Sequence, residues 1–191
     1  MTTYLALVGG WTLLVAGVGH LLRPGTLHWH LRGHDLLAPA AARAAVRVLP
    51  VLETVLGAGL LGAFLSPGAV LWRPLTAAAA ALTTGYGCYL LALRRRGFAG
   101  ACGCGPAYGD VGPYTIARAL VLAGGTGMSS LVDPGASAAL VASTGRPPLA
   151  LAALVGAFLA LVADTGWAHS RRAMARLQHE LAWTGPRERE R

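Results

Sequence analysis

Residues 4–22 read YLALVGGWTLLVAGVGHLL, with His20 the one ionisable side chain that is not a tyrosine. An apolar run of about 20 residues is long enough to cross a bilayer as a helix. Met1-Thr2-Thr3 ahead of it carries no basic residue, so the run reads as a retained helix and not as a cleaved leader. Similar runs recur at about Val46–Leu65, Val70–Leu93, Val111–Val132 and Leu149–Ala168. The expected fold class is therefore all-α: an integral membrane helical bundle of about five transmembrane helices.

The composition points the same way. Of 191 residues 54% are hydrophobic and 13% charged, against about 25% charged in a soluble domain. The net charge is +8, and every basic residue other than histidine is an arginine. Because these arginines flank apolar runs, they indicate membrane orientation and contact with anionic lipid. Nucleic acid is not an expected partner; the lipid bilayer is. With 3 cysteines, the chain is no disulfide framework. One domain is expected over residues 1–184, with a disordered tail over 185–191.

Residues 23–43 are too polar to cross. They are expected to lie at the interface, partly helical, with Trp29 as an aromatic anchor. Trp72 and Arg73 are placed at the interface too, opening the third span. His28, His30 and His34 could turn imidazoles onto one surface, yet only Asp35 accompanies them and interfacial histidines are ordinary. No metal site is assigned there.

The chemistry is concentrated in Cys102-Gly103-Cys104-Gly105-Pro106, which follows Arg94-Arg95-Arg96. Glycines 100, 103, 105 and 109 allow the bend that a disulfide between near neighbours requires. A strained small ring of that kind is easily reduced, which suits a catalytic couple better than a staple. Three readings follow: a thiol–disulfide redox pair, a soft-metal handler, since thiolates favour Cu(I) or Zn, or a loop that only contacts a partner. Cys88 reads as a small buried apolar residue.

Ionisable groups inside membranes are costly and usually functional. Here they are His20, Glu53, Arg118 and Asp164. In an alternating five-span bundle all four fall in the half of the membrane that carries the Cys-Gly-Cys loop. Glu53 and Arg118 would each lie about 10 Å inside their spans, where neither stays charged alone. They are expected to pair or to share a hydrogen-bond network. A guanidinium near the loop would also favour a thiolate at Cys102 or Cys104. His20 reads as a proton relay or a helix-end hydrogen bonder.

Orientation follows from the loops. One side collects Arg23, Arg32, Arg43, Arg94, Arg95, Arg96, Arg171, Arg172 and Arg176, the other Arg73 and Arg146. With five spans this puts the N-terminus outside and the cysteine loop on the cytoplasmic side of a bacterial-type cell membrane.

From Glu53 to Arg118 the pattern resembles the methylamine-utilisation MauE family, within the DoxX-like group of small membrane proteins. The likeness rests on Glu53 in the second span, the tyrosines ending the third, and the short arginine loop leading to Cys102-Gly103-Cys104-Gly105. Ile116-Ala117-Arg118 opening the fourth span completes it. Two positions depart from the family's pattern: Gly105-Pro106 where an aromatic residue usually follows the second cysteine, and Ala119 where asparagine commonly follows the arginine. The resemblance implies thiol–disulfide chemistry in the maturation of a disulfide-rich partner, with Cys102 and Cys104 as the redox pair and Glu53 and Arg118 in support. A membrane quinone or a thioredoxin-like protein would take the electrons.

Overall fold

Three helices begin on a proline. The computed structural model describes residues 2–65, 70–98, 100, 111–131, and 152, 155, 156, 158 and 159. Among these the helices are α1 (Thr2–Leu22), α2 (Pro24–Gly33), α3 (Pro39–Leu65), α4 (Trp72–Arg95) and α5 (Pro113–Leu131). Pro24, Pro39 and Pro113 each take the first helical position, where the missing N–H is no loss and φ is already helical.

The all-helical membrane fold stands as expected, with no strand among the described residues. Helices α1, α3 and α4 are long and apolar enough to cross a membrane. Helix α5, which carries Arg118, packs between α4 and α1. The four long helices thus form a bundle in the cyclic order α1, α3, α4, α5. The expected fifth span and Asp164 lie outside the described residues, apart from five helical positions. Two of these touch α1: the Tyr4 hydroxyl donates to the Gly156 carbonyl at 2.9 Å, and the Trp11 and Phe158 rings lie 5.2 Å apart.

Close approach of α1 and α3 depends on small residues, as expected for helices associating in lipid. A Cβ added at Gly57 would sit 2.5 Å from the backbone nitrogen of Leu14 and 2.7 Å from the Gly10 carbonyl oxygen. Neither backbone atom can move aside. Buried hydroxyls are satisfied within their own helices: Thr76, Thr83, Thr126 and Ser129 each donate to the carbonyl four residues earlier, the standard recourse where no water is available.

Helix α2 is the expected interfacial segment. Leu27 and Leu31, one turn apart, bury themselves against Ala42 of α3, while Trp29 is 79% exposed.

Three expectations are corrected. Helix α3 begins at Pro39 instead of Val46 and runs for 27 residues. At 1.5 Å per residue that is about 40 Å, longer than the roughly 30 Å hydrocarbon core, so its first turns, with exposed Arg43 and Arg47, reach the headgroup layer. Trp72, at the first position of α4, does not anchor outward but turns into the core, its indole N–H donating to the Ser129 carbonyl of α5 at 3.2 Å. Cys88 is exposed instead of buried, because the preceding position, Gly87, is the one packed against Leu120 of α5.

Candidate functional site

Glu53 lies fourteen residues into α3, about 21 Å from its start, and only 2% of it is exposed. A carboxyl group this deep in an apolar bundle must find polar partners. Its Oε1 accepts a hydrogen bond from the Tyr86 hydroxyl of α4 at 2.5 Å. Its Oε2 lies 3.9 Å from Nε2 of His20, near the end of α1, and has no hydrogen-bond partner among the described residues. His20 itself is buried. Three helices therefore each contribute one polar side chain to a single point.

Glu53 and Tyr86 stand between two cavities. The larger, about 280 Å³, lies among α2, α3 and α4 and is walled mainly by leucines, with His20, Glu53, Tyr86 and Tyr89 as its polar contributors. The smaller, about 70 Å³, also touches Glu53 and Tyr86 but is otherwise bounded by groups that include Thr12, Thr83, Thr115 and Arg118. Arg118 thus meets the same site from α5. The expected gathering of His20, Glu53 and Arg118 in one part of the bundle is what the structure shows. The close contacts of the carboxylate run to Tyr86 and His20, with Arg118 on the wall of the adjoining cavity.

Cys102 and Cys104 lie outside the described residues. Their flanks are described. The Val111 N–H donates to the Gly100 carbonyl at 3.0 Å, joining the two ends of the segment 101–110. Val111 then packs with Leu90, Leu93 and Ile116, and with half-buried Tyr89 and Phe98 around them. Tyr89 connects this neck to the larger cavity, which it lines.

The histidine that caps α2 has other work. His34 is buried, its Nδ1 2.8 Å from the Tyr89 hydroxyl, and its ring meets Phe98 edge-on at 4.7 Å. Arg96 donates to the Asp35 carbonyl at 3.2 Å, so the α2–α3 turn is fastened to the end of α4. Among the described residues no group of three or more His, Cys, Asp and Glu side chains could hold a metal ion.

Sequence reasoning missed Tyr86. Its signal was present: Tyr86 and Tyr89 are three apart on one helix, which puts both on one face, and they precede the arginine run that opens the cysteine loop.

A family model described as methylamine utilisation protein MauE matches residues 1–132. The chain belongs to the MauE family. The matched span takes in α1 to α5, the Glu53–Tyr86–His20 cluster, Arg118 and both cysteines of the loop, in agreement with the resemblance carried by residues 53–118. No curated protein and no solved structure matches the chain. MauE membership and the three apolar helices make this a membrane protein.

Proposed function

We propose that this MauE protein is a membrane thiol–disulfide redox component whose reacting pair is Cys102 and Cys104, serving the maturation of a disulfide-containing partner. The observation that carries the reading is the pinned neck between Gly100 and Val111. It ties the cysteine segment to the end of the bundle whose interior holds His20, Glu53, Tyr86 and Arg118.

In the reaction, the thiolate of one loop cysteine attacks a partner disulfide and forms a mixed disulfide. The second loop thiolate displaces the partner thiolate, leaving a Cys102–Cys104 disulfide and a reduced partner. The same steps in reverse oxidise a partner dithiol. Arg118, one turn inside α5, and the positive end of that helix favour the thiolate form. Glu53 supports the site from within the bundle. The arginine asymmetry of the loops supports placing this chemistry on the cytoplasmic side.

The test is alkylation of the purified protein with and without prior reduction, in a Cys88→Ser background. Reduction should expose two further alkylatable thiols and oxidation should remove both together. If Cys102→Ser and Cys104→Ser both keep full activity in the host pathway, the loop is a contact surface of a non-catalytic accessory subunit. Stoichiometric copper or zinc in the purified protein, lost in both variants, would instead mark a soft-metal handler.

A further inference from the structure

We infer that the 280 Å³ cavity among α2, α3 and α4 is a binding site for a lipid-soluble quinol, held by its ring hydroxyl on Oε2 of Glu53. Four features of the cavity select that chemistry.

Its lining is dominated by Leu27, Leu31, Leu49 and Leu82, so the occupant has an apolar body. A sugar, a nucleotide or a free amino acid would bring polar groups with nothing to meet them. Next, Oε2 of Glu53 is a buried acceptor without a donor among the described residues, which costs stability until one arrives. The ligand therefore carries an O–H. A fatty acid answers this poorly, because it would set a second carboxyl group against the first.

Third, Tyr86 and Tyr89 line the cavity one turn apart on α4, presenting aromatic surface suited to a flat ring. Last, the volume is at the lower limit of small-molecule pockets, about 300 Å³. It takes a ring head but not a long tail. Ala81 and Gly85 line the cavity and are also exposed, so a tail can leave beside them into the lipid. Gly85 is ten residues from Arg95, about 15 Å along the helix, which puts this mouth below the level of the arginine run.

The smaller cavity gives the hydroxyl proton a route. At about 70 Å³ it has room for water, and its threonines and Arg118 supply polar walls. Glu53 separates the two spaces and can pass a proton between them. Joined to the thiol reading, on which this one step rests, the quinol held on Glu53 is the product left when a quinone entering the cavity oxidises the Cys102–Cys104 dithiol. The products are the disulfide and the quinol; two electrons and two protons move, the protons reaching the ring oxygens by way of Glu53.

The test is equilibrium binding of radiolabelled decylubiquinol to the full chain in lipid nanodiscs, under anaerobic reducing conditions and against empty nanodiscs. Saturable binding is expected. The dimethyl ether of the same compound, which has the body but no O–H, should bind about tenfold more weakly, because it leaves the buried acceptor unsatisfied. Gly85→Leu should abolish binding by filling the cavity mouth. A Cβ at Gly85 meets nothing within 4 Å, so the fold should tolerate it. Glu53→Gln should lose the preference for quinol over ether. The double variant Cys102→Ser, Cys104→Ser should bind as the parent does, which keeps the site separate from the thiol chemistry. No saturable binding, equal binding of quinol and ether, unchanged binding in Gly85→Leu, or loss of binding in the cysteine variant would each overturn the assignment.

Discussion

The Tyr86 hydroxyl of α4 reaches across to Oε1 of Glu53 on α3 at 2.5 Å, joining two helices at the point where cavities open on either side of them. The bond gives the buried carboxyl group its closest polar contact. It also fixes which way Oε2 points.

Removing that donor should therefore be felt. Tyr86→Phe leaves a buried acceptor unsatisfied, at a cost of about 1–3 kcal/mol, and the midpoint of thermal unfolding in detergent should fall. Glu53→Gln combined with Tyr86→Phe should cost less than the sum of the two single changes, because the partners act as a unit. Strict additivity in that cycle would mean the contact contributes nothing to stability. His20→Ala tests the third member; its effect should shrink in a Glu53→Gln background.

The α1–α3 seam makes a second prediction. Gly57→Ala places a methyl group 2.5 Å from the Leu14 backbone nitrogen and should destabilise by about 1–3 kcal/mol, the usual range for overpacking. Gly124→Ala on α5 is the control, since a Cβ there meets nothing within 4 Å. It should be neutral or slightly stabilising. Equal tolerance of the two substitutions would show that α1 and α3 are not packed as described.

These relationships were legible in the sequence to different degrees. Apolar length fixed α1, α4 and the end of α3, because crossing a bilayer demands it. The start of α3 was hidden by Arg43, which looks like a loop residue but rides on a helical turn in the headgroup layer. Trp72 and Cys88 were misjudged because hydropathy reports how apolar a residue is, not which face of its helix it occupies. That His20, Glu53 and Arg118 share one end followed from alternation of the spans. The role of Tyr86 did not, since a tyrosine near a helix end is equally at home in an aromatic belt. Which carboxylate oxygen is bonded and which is left open depends on side-chain geometry alone.

Orientation is open to direct measurement. In a Cys88→Ser background, an impermeant maleimide added to intact cells should label a cysteine introduced between Asp133 and Arg146. It should leave Cys102 and Cys104 untouched until the membrane is permeabilised. Labelling of the native pair from outside would reverse the arginine-based assignment and move the thiol chemistry to the periplasmic face.

The thiol chemistry itself makes the last prediction. Exchange passes through a mixed disulfide, so a variant lacking the resolving cysteine should trap one with the partner, visible as a reductant-sensitive band on a non-reducing gel. Cys104 is nearer to α5 and so to Arg118 and the helix N-terminus, both of which stabilise a thiolate. It is therefore the expected attacking residue, and Cys102→Ser should be the variant that traps. Cys104→Ser should trap nothing, and either change alone should abolish turnover. Arg118→Leu with both cysteines intact should slow alkylation of Cys104 more than that of Cys102, a difference that a merely destabilised bundle would not produce. If Cys104→Ser is the variant that accumulates the mixed disulfide, the roles are exchanged and Arg118 does not govern which thiol attacks.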